Sequence, residues 1–274
     1  MLKVDRLGWV VGFSLRSYGV KIGFRCNDPA VLARVIDLLP GEWERAEFDV
    51  VDRLYSVFVG GAGRRANVRN FNLVYADHVR IGRSLELDTL LATLDSDLRI
   101  FVAEFAKGRV FVHAGVVGWK GRAIVIPGRS FSGKSTLVAA LINAGATYYS
   151  DEYAVFDGRG RVHPFSKPLE LRDDHHRQRK IELGAFGATA GTQPLRVGLV
   201  LVTRFRDGAR WRPRRISSGN AVLHLLGNTV SARRNPRKAL ETLERVTAAA
   251  DVLKGVRGNA NDIVPDVLKR LERL

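Results

Sequence analysis

Four residues near the middle of the chain have the types and spacing of a phosphate-binding loop. Gly128, Gly133, Lys134 and Ser135 fit the pattern G-x-x-x-x-G-K-[ST]. A loop closed by two glycines lets several backbone N–H groups point at one anion, and the helix that follows adds the positive end of its dipole. The lysine reaches the β- and γ-phosphates, and the serine hydroxyl ligates Mg²⁺. These residue types therefore predict a nucleotide site.

The sequence on either side of the loop supports this prediction. The apolar run Ala123–Ile126 predicts a buried strand that leads into the loop, and the apolar residues after Thr136 predict a helix. A chance turn rich in glycine and serine has no reason to lie between such elements. The predicted nucleotide-binding set is Gly128, Arg129, Ser130, Phe131, Ser132, Gly133, Lys134, Ser135 and Thr136.

Enzymes with this loop also need an acidic group near the Mg²⁺ ion. The most apolar later strand, Val197–Val202, is followed by Thr203 and Arg204 and supplies none. The pair Asp151–Glu152 follows the short predicted strand Thr147–Ser150, one helix and one turn after the loop, so it can return to the mouth of the loop. The sequence Leu-Ser-Gly-Gly of transporter ATPases is absent. A small phosphotransferase is favoured over a motor or transporter ATPase.

The predicted elements divide the chain near residue 104. Residues 1–104 carry the patterns of a small α+β module, and residues 105–274 those of an α/β domain with a mixed sheet and flanking helices. The first part contains an early hairpin, a helix capped by Asp28, strands over Val50–Val59 and Asn72–Ile81, the loop Gly60–Arg65 and a helix over Leu85–Ala106. The second part contains strands over Arg109–Val117, Tyr153–Phe156 and Arg161–Pro164, and helices over Ser218–Leu226, Asn235–Ala249 and Ile263–Leu274.

Composition narrows the class further. The single cysteine, Cys26, allows neither an internal disulfide nor a thiolate metal cluster, and we expect it to be an inert core residue. No run approaches the 18 or so apolar residues of a membrane span, and the first residues make a poor signal peptide, so we expect a cytoplasmic protein without a membrane partner. The net charge of +16 attracts polyanions such as acidic peptides or nucleic acid. Scattered arginines without interleaved aromatic residues favour solvated faces over a nucleic-acid surface.

Three motifs in this order resemble the catalytic domain of the HPr kinase/phosphorylase family. They are His113 in VFVHAGVV, the loop with Lys134, and SDE at Ser150–Glu152. The resemblance covers roughly residues 105–260 and is nearest to the smaller HPr-kinase-like proteins encoded beside peptide-modification genes. It implies a Mg²⁺- and ATP-dependent kinase that transfers the γ-phosphate to a hydroxyl, serine above all, of a peptide or protein. Because the family includes hexamers, a homo-oligomer stays open.

The resemblance also assigns roles to residues. Asp151 matches the carboxylate that takes the proton of the acceptor hydroxyl, and His113 matches a histidine near the phosphate. With Lys134 these form the predicted catalytic set. The predicted metal set is Ser135, Glu152 and Glu170, where Glu152 stands in place of an aspartate and Glu170 lies in PLELR.

The sequence departs from the family after Glu170, where Asp173, Asp174, His175 and His176 replace a glycine-rich segment. This argues against HPr as the substrate and against the reverse phosphorylase reaction. A solvated loop is favoured over a metal cluster there, and a solvated helix start over an arginine finger at Arg233 and Arg234. Two other functions stay open: a kinase of a sugar or polyol, and a regulatory or nucleic-acid-binding module that senses ATP without transferring phosphate. The choice between ATP and GTP is open as well.

Overall fold

The computed structural model describes residues 3–39, 41–61, 70–128, 132–165, 167–172, 178–181 and 183–274. The chain divides into two units, Met1–Lys107 and Gly108–Leu274. No helix in the described ranges is both long enough and apolar enough to cross a membrane.

The first unit is a mixed sheet with two helices, α1 (Pro29–Ile36) and α2 (Leu87–Phe105). Its strands are β1 (Val11–Ser17), β2 (Val20–Cys26), β3 (Trp43–Arg45), β4 (Arg53–Phe58), β5 (Asn72–Ala76) and β6 (Val79–Ser84). They lie in the order β3-β1-β2-β4-β5-β6, with β2 and β4 parallel. The Asp28 side chain caps α1 by accepting from the N–H of Ala30 at 2.9 Å, and Cys26 is buried, so both predictions are confirmed.

One predicted strand in this unit is wrong. Asn72–Ile81 was predicted as a single strand, but β5 and β6 form a hairpin that turns at Asp77 and His78. Asp77 adopts a left-handed backbone with φ of 56°, which aspartate tolerates better than most residues, and its side chain accepts from the N–H of Leu54 at 2.9 Å. Part of the predicted loop Gly60–Arg65 lies outside the described residues.

The second unit is a larger mixed sheet covered on both faces by helices, as predicted. The strands are β7 (Arg109–Trp119), β8 (Arg122–Pro127), β9 (Thr147–Ser150), β10 (Tyr153–Asp157), β11 (Arg161–His163), β14 (Leu195–Phe205), β15 (Arg214–Arg215) and β16 (Asp251–Arg257). The order is β11-β10-β7-β8-β14-β16-β15, with β9 paired to β7 and with β8, β14 and β16 parallel. Strands β12 (Leu169–Arg172) and β13 (Gln178–Ile181) form a separate hairpin.

Four helices close the two faces of this sheet. They are α3 (Lys134–Asn143), α4 (Ser218–Leu226), α5 (Pro236–Ala249) and α6 (Ala260–Glu272). Apolar residues of α3 and α6 pack together on one face, and those of α4 and α5 on the other. Helix α3 begins directly after the loop. Because a helix this short is only marginally stable by itself, packing in the buried core stabilises it.

Strand β16 was not predicted from the sequence, although it lies inside the sheet. Its seven residues include Asp251, Lys254 and Arg257, and such charges do not indicate a buried strand. The carboxylate of Asp251 is buried and pairs with Arg215 and Arg270, each at 2.6 Å. These two arginines, which are distant in sequence, offset the negative charge of Asp251, one of the charges because of which the strand was not predicted.

Candidate functional site

The stretch with the phosphate-loop pattern has strand β8 before the loop and helix α3 after it. Strand β8 ends at Pro127. The backbone of Gly128 lies so near Ser132 that a Cβ at Gly128 would be 2.6 Å from Ser132 Oγ. Gly133 precedes α3 with φ of 81°, a left-handed conformation that glycine adopts without strain. No side chain caps α3, so the N–H groups of its first turn keep their capacity to bind an anion. Arg129, Ser130 and Phe131 lie outside the described residues.

The carboxylate of Asp151 lies beside the serine of the loop. Ser135 Oγ donates to Asp151 Oδ2 at 3.3 Å, and the hydroxyl of Tyr148 donates to Asp151 Oδ1 at 3.0 Å. Asp151 is 7% exposed, and Tyr148 is fully buried. Burial, and then the charge of Asp151, raise the pKa of Tyr148, so its hydroxyl keeps the proton that it donates. Both carboxylate oxygens are thereby fixed in direction.

Strand β7 places this carboxylate beside the loop. The N–H of Gly128 donates to the carbonyl of His113 at 3.1 Å on one side of β7. On the other side β7 pairs with β10 and then with β9, with Tyr153 opposite His113 and Ser150 opposite Val116. The corner between β9 and β10, which carries the two acidic residues, therefore faces the middle of β7 where the loop begins.

The side chain of Ser150 fixes the shape of that corner. Its Oγ accepts from the N–H of Glu152 at 3.1 Å and from the N–H of Tyr153 at 3.0 Å. The carbonyl of Glu152 accepts from the N–H of Ala114 at 3.1 Å. Each residue of the SDE motif thus makes a hydrogen bond that shapes this corner or the site, and Ser150 fixes the backbone that orients the Asp151 side chain.

His113 lies at the same junction, with its side chain exposed and its ring 4.8 Å from the ring of Tyr153. Desolvation lowers the pKa of His113; the charge of Glu152 opposes this effect, and the charge of Lys134 adds to it. The imidazole is therefore neutral near pH 7 and able to accept a proton.

The other two predicted metal residues differ from Ser135. Glu152 forms an ion pair with Lys167 at 3.1 Å. The backbone of Glu170 lies in β12, opposite that of Lys180 in β13, and the neighbouring Leu169 packs in the core that includes α3. Asp173, Asp174, His175 and His176 lie outside the described residues, and Arg233 and Arg234 are exposed.

Arg257 belongs to this site and was missed in the sequence. It ends β16 and is 1% exposed; Nη2 donates to the carbonyl of Gly133 at 2.7 Å, and Nη1 to that of Gly258 at 3.0 Å. Its Nε is buried without a hydrogen-bond partner, and within the described residues no carboxylate pairs with it. Burial lowers the pKa of this guanidinium, the direction expected of a charge without a counter-ion. No signal in the sequence singles it out, because the strand that it ends also carries Asp251 and Lys254.

The residues present fit a nucleotide with Mg²⁺. Among the residues that the structure describes, Ser132 Oγ is buried without a hydrogen-bond partner, and it belongs to the predicted phosphate loop. Ser135 and Asp151 offer the hard oxygen donors that Mg²⁺ prefers, and this ion takes its remaining ligands from phosphate and water. No cluster of three or more His, Cys, Asp or Glu side chains suited to a metal exists among the described residues.

Comparison with known proteins gives a likeness to solved structures but no match of sequence. No family model matches the sequence, and no curated protein matches it. Among solved structures, the chain is similar to the HPr(Ser) kinase/phosphatase from Coxiella burnetii, at 15% sequence identity and a TM-score of 0.34. The match covers 60% of this chain and 90% of that chain. A likeness at this level carries no conclusion about activity, which has to be argued from the residues themselves.

Proposed function

We propose that this chain is a Mg²⁺- and ATP-dependent kinase that transfers the γ-phosphate to a hydroxyl, serine above all, of a peptide or protein, and that residues 105–274 form its catalytic domain. The observation that carries the proposal is the contact between Ser135 and Asp151 at the start of α3. A glycine-closed turn, a serine at the helix start and a buried carboxylate against that serine are the parts that phosphoryl transfer requires.

The chain's own residues divide the work as follows. The residues of Gly128–Thr136 bind the phosphates through backbone N–H groups, and Lys134 offsets charge on the terminal phosphates. Ser135 and Asp151 would hold Mg²⁺, and the ion would offset part of the charge on the phosphates of ATP, which supplies the phosphoryl group. Asp151 accepts the proton of the incoming hydroxyl, because a loose transition state asks for positioning and modest base help. The charges of Lys134 and Glu152 act on His113, which supports its place in the catalytic set.

The acceptor is assigned as a peptide or protein on charge and on the resemblance of the motifs. A net charge of +16 draws an acidic partner to the surface by long-range attraction. Glu152 pairs with Lys167 beside the site, so both a negative and a positive side chain lie there.

The experiment follows γ-phosphate-labelled ATP with Mg²⁺ into a lysate of the source organism. It compares wild type with Asp151→Asn, with Lys134→Ala and with the control Asp266→Asn, which removes an exposed carboxylate from α6. We expect label in a protein or peptide fraction with wild type and with Asp266→Asn, and none with the other two variants. Asp151-dependent label in small molecules alone would move the assignment to a sugar or polyol kinase. ATP binding without any Asp151-dependent label would favour the regulatory module.

A further inference from the structure

A basic cavity, which we call the arginine cavity, lies at the end of the larger sheet away from the phosphate loop. It encloses about 310 Å³ and is lined by the turn between β10 and β11, the start of β14 and the end of α5. These elements contribute Arg159 and Arg161, Arg196, and Arg245 to its wall. Four arginines from three separate elements thus surround one cavity.

The arginine cavity is distinct from the phosphate loop. Arg196 of β14 pairs with Arg122, the first residue of β8, whereas Gly128 follows the last residue of β8. Six residues of a strand at about 3.3 Å each span roughly 20 Å. A ligand in this cavity therefore cannot touch Lys134 or Ser135.

The charge in the arginine cavity is mostly uncompensated. Arg161 pairs with Asp157 at 3.1 Å, and Arg245 donates to the carbonyl of Gly158 at 2.7 Å, which leaves its charge unopposed. The side chains of Arg159 and Arg196 make neither a hydrogen bond nor an ion pair with any other residue that the structure describes, and both residues are exposed. Among the described residues, only one of the four guanidinium groups, that of Arg161, is therefore paired with a carboxylate.

That one carboxylate is already engaged. Asp157 Oδ2 also lies 3.0 Å from His163 Nε2, and the N–H groups of Arg159 and Arg161 donate to its Oδ1. Burial would raise the pKa of Asp157, but the hydrogen bonds from His163 and from these two arginines lower it to about 2. A bound anion would give the other three guanidinium groups a partner of opposite charge.

We propose that the arginine cavity binds a small phosphorylated molecule. Guanidinium groups present planar pairs of donors that match phosphate oxygens. A phosphate carries more negative charge than a carboxylate and therefore offsets more of the charge of the three unopposed arginines. The volume accommodates a phosphate or pyrophosphate group with a small attached moiety and excludes a folded partner. This inference does not depend on kinase activity at the phosphate loop.

The test is a calorimetric titration of pyrophosphate into the Lys134→Ala protein at about 150 mM salt, where long-range attraction is largely screened. Without Lys134 the phosphate loop is impaired, so the arginine cavity is measured by itself. We expect one equivalent to bind. The further substitutions Arg159→Gln and Arg196→Gln should together weaken binding at least tenfold. As a control, Arg80→Gln and Arg273→Gln remove the same charge from two exposed arginines elsewhere and should leave binding unchanged.

Three results would overturn the proposal. They are an absence of binding to Lys134→Ala protein, an equal loss in both double variants, and binding of a phosphoserine peptide or a DNA oligonucleotide in place of pyrophosphate. Thermal unfolding checks that the variants are folded, and Arg196→Lys keeps the charge but loses the planar donor pair, so it should give an intermediate affinity. Ribose 5-phosphate and inorganic phosphate as further titrants separate a phosphorylated metabolite from the free ion.

Discussion

Replacing Tyr148 with phenylalanine tests whether the direction of the Asp151 carboxylate matters. The change removes one oxygen and keeps the fully buried ring. Asp151 Oδ1 then loses a donor at 3.0 Å in a site where the residue is only 7% exposed. Loss of a hydrogen bond to a buried charged acceptor costs about 1–3 kcal/mol. For a unit of this size each kcal/mol lowers the unfolding midpoint by about 2–4 °C.

The functional effect follows from the second oxygen. Asp151 Oδ2 accepts from Ser135 at 3.3 Å, so a carboxylate that rotates away weakens the pair that we propose to hold Mg²⁺. If the same 1–3 kcal/mol is lost from the bound state, Mg²⁺-dependent affinity falls by about 5- to 150-fold. The assay titrates a fluorescent ATP analogue with and without Mg²⁺, and the difference between the two curves isolates the contribution of the ion.

The neighbouring tyrosine provides a matched control. Tyr149 is 4% exposed, and its hydroxyl donates to the carbonyl of Gln193 at 2.8 Å, a bond that leaves Asp151 untouched. Tyr149→Phe should therefore lower stability by about 1 kcal/mol and leave Mg²⁺-dependent binding unchanged. If Tyr148→Phe behaves in the same way as Tyr149→Phe, Tyr148 is a structural residue and the reasoning fails.

Three further predictions concern other parts of the larger unit. Lys134→Ala should raise the pKa of His113, because the lysine charge helps to lower it; histidine NMR signals followed from pH 4 to 8 measure the shift, and an unchanged pKa contradicts it. Asp157, with a pKa of about 2, contributes about 2 kcal/mol of stability that is present above pH 4 and lost as the pH falls through 2, so urea unfolding of wild type and Asp157→Asn should differ at pH 6 and converge near pH 2. Gly128→Ala should lower ATP affinity by about tenfold, since its Cβ would lie 2.6 Å from a side-chain oxygen, whereas Gly184→Ala, which meets nothing within 4 Å, should not.

Local signals in the sequence were enough for many elements. The predicted bounds of β9 and α4 match the structure, because apolar periodicity and the cap at Ser217, which accepts from the N–H of Asn220, are short-range features. Asp151 was selected because it follows a strand soon after the loop, and the structure places it beside Ser135. Its assigned role in proton transfer stays a prediction.

Tyr148 and β16 could not be recognised from the sequence, for different reasons. Tyr148 lies in the short strand β9, where a tyrosine predicts core packing, and only the fold brings its hydroxyl within 3.0 Å of Asp151 Oδ1. Strand β16 is stabilised by Arg215 and Arg270, which offset Asp251 from separate elements. No pattern within seven residues shows that such partners exist.

The same non-local pairing explains how positive and negative charge are arranged around the loop. Strand β14, parallel to β8, carries no carboxylate at its end; instead β16 pairs with β14 so that Arg257 lies opposite Phe205, with its guanidinium 5.6 Å from the ring centroid. The carboxylate comes from the other side of β8, through the corner after β9. A buried cation that bonds to the Gly133 carbonyl and a buried carboxylate that faces Ser135 therefore flank the start of α3 from opposite directions. That arrangement suits a ligand in which an anion and a cation are bound together, as they are in a nucleotide with its metal ion, because each buried charge then gains a partner of opposite sign.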